Sequence, residues 1–237
     1  MNRALVTIWL AGVAGLFLVF GPLRIHVGGV DNAKINVATE VLSKAIGNPE
    51  GRIPESVLEQ AAAIAVVPDI FHESILYERG YGDGILIVRT EEGAWSNPSF
   101  VKFVQKSETK DKLVSEGAIL VFRDRKSIDL FRQGRLVMGK DIATAGGPVA
   151  SQAEREAGGQ RDPVGVYSYG MTDGRLTGIA VDQAVMQVND WANRDFYNSR
   201  GVTFDMLLAK EGPEVVPVAA NRFTCVVARY SETPPIC

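Results

Sequence analysis

Few side chains in this 237-residue chain are equipped for covalent or metal chemistry. There are two histidines, His26 and His72, and two cysteines, Cys225 and Cys237. The cysteines lack C-x-x-C spacing, and four such residues scattered over the chain do not compose a structural zinc site. His72 precedes Glu73, but the sequence H-E-S-I-L has no second histidine one helical turn on, so the metallopeptidase face is missing. No G-x-S-x-G elbow offers a nucleophilic serine. The run Gly80-Tyr81-Gly82-Asp83-Gly84 resembles a phosphate loop only in its glycines. It leads into an apolar strand instead of opening a helix, and no Lys-Ser/Thr follows, so it reads as tight turns and close packing. Carboxylates are plentiful, and whether two of them meet in space as an acid/base pair is not written in their spacing. The expectation is a protein that is not an enzyme, with no catalytic residue, metal or cofactor; a hydrolase on an atypical carboxylate site is the remote alternative.

Charge says more. The formal net charge is -3, and a mildly acidic body argues against nucleic acid as a partner, because that binding rests on neutralising phosphates with Lys and Arg. The distribution is uneven. Residues 102–140 carry a net +5, residues 31–101 a net -6 and residues 141–237 a net -4. Lys102, Lys106, Arg123, Arg125, Lys126, Arg132 and Arg135 are the candidates to contact anionic lipid phosphates, each worth about 1 kcal/mol near a charged bilayer. The competing reading is a solvated face, with Arg125, Asp129 and Arg132 at spacings that make weak local ion pairs.

These residues must be positioned by regular elements. Ala4 to Leu23 carries no charge, with Arg3 before it and Arg24 after. It is long enough for a marginal membrane span, and it also fits a cleavable secretory signal or a buried helix. The first two readings export the rest of the chain, which would sit in the periplasm either anchored to the inner membrane or released. There Cys225 and Cys237 can pair and tie down the tail, or remain as one buried and one terminal thiol.

Residues 31–46 place Ile35, Ala38, Val41, Leu42, Ala45 and Ile46 at helical spacing, and their sparse charge points to core packing. A second helix opens at Pro54. Short β-branched and aromatic runs predict strands at 65–67, 85–89, 100–104, 118–122, 165–169, 175–181 and 223–228, with helices at 126–132 and 189–197. Without regular strand-helix-strand units a doubly wound sheet is disfavoured. The fold class is α+β: a curved antiparallel sheet or small barrel with flanking helices, preceded by an N-terminal apolar helix.

Five segments in order carry a resemblance. They are Ile53-Pro54-Glu55-Ser56-Val57-Leu58 with Ala61 to Pro68; Gly80 to Arg89 leading into Trp95 to Phe100; Ile119 to Arg125 with Ser127-Ile128; Gly139 to Val149; and Tyr167-Ser168-Tyr169 before Gly174, Gly178 and Ile179. Over roughly residues 40 to 200 the chain resembles the SYLF-domain family, in the form found in exported bacterial proteins. It departs in residues 106–116, which replace a glycine-rich stretch, in Gly174-Arg175-Leu176 and in Phe196-Tyr197-Asn198. The resemblance implies a non-catalytic domain that binds phospholipid head groups, actin being the partner of some eukaryotic members. Residues 1–30 are then an anchor or signal and residues 31–237 a single SYLF-like domain whose partner is an anionic phospholipid membrane. The alternative is an envelope protein partner docking near the glycine run and Trp95.

Overall fold

The computed structural model describes residues 28–49, 51–73, 79–106, 117–150, 164–179 and 181–231. The apolar segment Ala4–Leu23, residues 107–116 and Cys237 lie outside the described residues. In chain order the elements are α1 (Gly28–Gly47), α2 (Glu55–Glu59), β1 (Ala63–Val67), β2 (Phe71–Glu73), β3 (Arg79–Val88), β4 (Ser99–Lys106), β5 (Gly117–Phe122), α3 (Lys126–Arg132), β6 (Leu136–Val137), β7 (Thr144–Gly146), β8 (Val166–Thr172), β9 (Arg175–Gly178), β10 (Val185–Val188), α4 (Asp190–Phe196), α5 (Phe204–Ala209) and α6 (Val218–Tyr230).

The strands form one sheet in the order β6-β10-β4-β3-β1-β5-β8-β7, with β2 added to β3 and β9 to β8. All pairings are antiparallel except β7 with β8. The sheet curls into a half-barrel and stays open: β6 and β7 at its two ends do not pair. The curved sheet expected from the sequence is present, and the closed small barrel is not.

Both faces of this sheet are covered. On β1, Ile64 and Val66 point to the layer made by α1, α2, α4 and α6, while Ala63, Ala65 and Val67 point to the layer of α3 and the Phe204–Leu208 side of α5. Two-sided burial explains why the central strands β1 and β5 read as unbroken apolar runs and not as alternation. Helix α1 buries Ile35, Ala38, Leu42, Ala45 and Ile46, the core-packing role its spacing predicts.

Two local expectations are corrected. Gly80–Gly84 is not a set of turns but the first half of β3. A Cβ on Gly82 would stand 2.3 Å from the carbonyl oxygen of Asp69, so the glycine is there to let the β1–β2 link lie against the strand. Phe223–Ala228 is helical. Ala219, Ala220, Phe223, Thr224, Val227 and Ala228 recur at three- and four-residue intervals and bury one stripe of α6 against α1, and that longer period overrides the β-branched look of a six-residue window. α5 has no counterpart in the sequence reading; Thr203 caps it by accepting from the Met206 N–H.

Candidate functional site

The basic residues singled out by charge do not form one surface. Lys102 is exposed on β4, opposite Asp83 of β3 and Gln187 of β10, and shares the helix-side face with Phe100. Lys106 ends the same strand. Arg135 directly precedes β6, which pairs with β10 beside β4, while Arg123, Arg125, Lys126 and Arg132 lie on the link from β5 into α3 and along α3.

There the cations are interleaved with acids. The Arg123 guanidinium stands 5.1 Å over the ring of Tyr167, donates to its hydroxyl at 3.3 Å and reaches the Gln60 amide oxygen at 3.3 Å. Arg125 donates to the carbonyl of Arg89 at 2.8 Å. Asp124 accepts from the Lys126 backbone N–H at 2.9 Å, which starts α3. Arg132 bridges Asp205 at 2.7 Å and Asp129 at 3.3 Å, and these contacts, Asp205 first, hold its guanidinium more firmly charged than usual. All three groups are about half or more exposed, so the bridges orient α3 against α5 and add little stability. Lys126 and Arg135 are exposed.

One face of α3, with Ile128, Asp129 and Arg132, and Arg125 just before the helix line a groove of about 880 Å3. Its other walls are the β3–β4 turn from Arg89 to Ala94 and α5 with Lys210 and Glu211 just after it. Val88, Ile128 and Leu208 contribute apolar lining, and the remaining wall mixes cations (Arg89, Arg125, Arg132, Lys210) with acids (Glu91, Glu92, Asp129, Asp205, Glu211). Glu92 is held below the usual carboxylate range by its own backbone N–H, the Thr90 hydroxyl and the charge of Arg125. Arg89 is turned inward: it donates to the carbonyls of Ala61 and Leu58, and its guanidinium lies 4.6 Å over the Trp95 ring. This is a wall of balanced charge.

Trp95, expected at a partner surface, is fully buried, and its indole N–H donates to Ser231 Oγ at 2.8 Å. Among the described residues, the tryptophan that faces solvent is Trp191, 72% exposed on the first turn of α4. No motif marked it, since a lone aromatic at a helix start is indistinguishable in sequence from a core residue. Just behind it a polar cluster fixes α4 to the sheet. Asn193 accepts from the Phe100 N–H at 2.7 Å and donates to Ser99 Oγ at 3.0 Å, while the Tyr197 hydroxyl donates to the Pro98 carbonyl at 2.6 Å. Trp191 therefore stands on a helix with little freedom to move.

Among the described residues no group of three or more His, Cys, Asp or Glu is placed to hold a metal ion. Cys225, on α6, is disulfide-bonded. No helix among the described residues is long and apolar enough to cross a membrane.

Comparison with known proteins adds the last observations. Residues 114–230, from the approach to β5 through α6, match the model of the Ysc84 family, described as Las17-binding protein actin regulator. An SH3 domain-containing protein of Schizosaccharomyces pombe is 28% identical over 175 residues, covering 71% of this chain and 39% of that protein. Protein YSC84 of Saccharomyces cerevisiae is 25% identical over 172 residues, 71% of this chain and 36% of that one. The human SH3 domain-containing YSC84-like protein 1 is 26% identical over 171 residues, 71% and 49% of the two chains. The matched region thus spans between about a third and a half of the length of these curated relatives. No solved structure matches the chain.

Proposed function

We infer that this chain carries a domain of the Ysc84/SYLF type, a reading supported by the family model and the curated relatives, and we propose that it is a non-catalytic module that binds a protein partner. The observation that carries the proposal is Trp191. A rigidly mounted, largely exposed tryptophan is costly to leave in water and is the residue type most enriched at binding hot spots. The names of the relatives, a Las17-binding actin regulator among them, point to protein partners as well. Trp191→Ala tests it: affinity for the partner falls by at least about tenfold, as for a hot-spot residue, while thermal stability stays at wild type. Unchanged affinity rejects this contact.

A second reading is favoured by Lys126, exposed next to Arg125 at the start of α3: contact with anionic phospholipid. Its test is co-sedimentation with vesicles of rising phosphatidylglycerol content at low and moderate salt. Under this reading binding rises with anionic lipid, falls with salt, and drops when Arg123, Arg125 and Lys126 are changed together to Gln. Binding that ignores those changes rejects it.

The disulfide at Cys225 supports an oxidising compartment, where such bonds persist. Together with the apolar Ala4–Leu23 segment, it favours a domain held in the periplasm by an inner-membrane anchor or released there after cleavage. Mass spectrometry of the mature N-terminus distinguishes the two.

A further inference from the structure

We propose that the segment Arg24–Val27 of this chain docks on the helix-side face of β4 and β10, seating Ile25 and Val27 on a bare apolar row that includes Val104 and Val185.

The row is read from the strand register. Tyr81 of β3 stands opposite Val104 of β4, Val104 opposite Val185 of β10, and Val185 opposite Val137 of β6. Alternation along β3 and β4 puts this row on the same face as Ile85 and Phe100, which the helix layer buries. The cover stops short of the row: Tyr81 and Val104 are each 38% exposed, and Val185 and Val137 are half-buried. On the opposite face the same strands bury Phe103, Met186 and Leu136. Four apolar side chains in register on neighbouring strands make a continuous strip, the kind of surface that marks a contact.

The course of α1 says which part of the chain reaches this strip. Lys34 pairs with Asp83 of β3 at 2.5 Å. Two turns on, Val41 lies over β5, where a Cβ on Gly117 would stand 3.1 Å from its Cγ1. Just past the helix, the Asn48 amide donates to the Gly174 carbonyl in the β8–β9 turn at 3.3 Å. The helix therefore runs across the strands. Two turns rise about 10 Å, which matches the two strand spacings that separate β3 from β5 through β1.

Continued backwards at about three residues per strand, this path crosses β4 near Asp31 and β10 near Gly28, where α1 begins. It follows Lys102, opposite Asp83, and Gln187, opposite Lys102, with Val104 and Val185 beside it on the same strands. The chain thus enters α1 next to the strip. The residues that enter are Arg24-Ile25-His26-Val27, which lie outside the described residues. Basic and apolar side chains alternate in them, the pattern of an extended segment with one side on an apolar surface. At about 3.3 Å per residue such a segment is long enough to lie across two neighbouring strands. By fastening the link between the apolar run Ala4–Leu23 and α1, the contact fixes how the domain stands relative to that run.

A benzophenone-bearing phenylalanine analogue at Val104 of the full chain, irradiated in the native cells and mapped by mass spectrometry of the digested protein, tests the docking. The expected result is an intrachain crosslink to a residue of Arg24–Val27, lost when Ile25→Asp and Val27→Asp are combined. A crosslink to lipid, to another protein or to a second copy of the chain overturns the proposal, as does one confined to α1, one that survives the two Asp changes, or none at all. The same probe at Gln187, exposed one strand over on that face, takes its place should the Val104 variant fail to fold, with the same outcomes.

Discussion

Trp95 and Ser231, 136 residues apart, are joined by a buried hydrogen bond of 2.8 Å from the indole N–H to the serine hydroxyl, which itself donates to the Val227 carbonyl at 2.9 Å. The bond ties the β3–β4 turn to the last described turn of the chain, closing the helix layer over the sheet. Ser231→Ala leaves a buried N–H unpaired, an imbalance that costs about 1–3 kcal/mol. Urea denaturation should show that loss with an unchanged slope against denaturant. A midpoint equal to wild type would mean that water replaces the hydroxyl.

Gly147 packs flat on Tyr169. A Cβ at Gly147 would lie 2.0 Å from the ring's Cζ, so Gly147→Ala must displace the ring or the β7–β8 connection. Overpacking of this kind costs about 1–3 kcal/mol. The double variant Gly147→Ala, Tyr169→Leu recovers a good part of it, because the atom struck is gone. Thermal melts of the two single variants and the double variant measure this, and strict additivity would contradict the contact.

Asn193 is the pin between α4 and β4, using both ends of its amide. Asn193→Ala leaves the Phe100 N–H and the Ser99 hydroxyl without their partner in a fully buried place. The expected loss is about 2–4 kcal/mol, the sum of a broken buried network and a small cavity. Asn193→Asp should be worse at neutral pH than at acid pH, since only the neutral acid can still donate to Ser99. Wild-type stability of Asn193→Ala would show that the amide is not the pin.

Burial pushes the phenols of Tyr169 and Tyr197 well above the ordinary value of 10.0. Both keep their protons in the folded chain while the unfolded chain gives them up, so stability falls as pH rises through 10.0. Ultraviolet titration should show these two phenols ionising only together with unfolding. Smooth ionisation of every tyrosine before the loss of circular dichroism would contradict their burial.

How much of this was legible in the sequence depends on the scale of the signal. β1, β5 and α1 were, because five or more apolar residues in a row or at helical spacing can be placed in few ways. The 223–228 segment was not: six residues cannot separate a strand from one stripe of a helix, and the tertiary contact with α1 decides it. Gly80–Gly84 was legible in its close packing but not in its strand conformation, because glycine marks both a turn and a strand approached by another backbone, and only the position of Asp69 tells them apart. Net charge carries no three-dimensional placement either. The +5 of residues 102–140 is a sum along the chain, whereas Arg132 answers to Asp205, 73 residues on, and Lys102 lies on the other face from the α3 groove. Trp95 shows the limit most plainly, since the tryptophan expected at a partner surface is fully buried, while Trp191, which no motif marked, is exposed.

The central claim is that the domain works by contact through the Trp191 end of α4. A photo-reactive phenylalanine analogue at Arg194, the exposed residue one turn on, tests it in the full chain within its native cells. The account predicts one discrete adduct with another protein, lost when Trp191→Ala is added. The absence of any protein adduct from this position would contradict it, as would an adduct indifferent to Trp191.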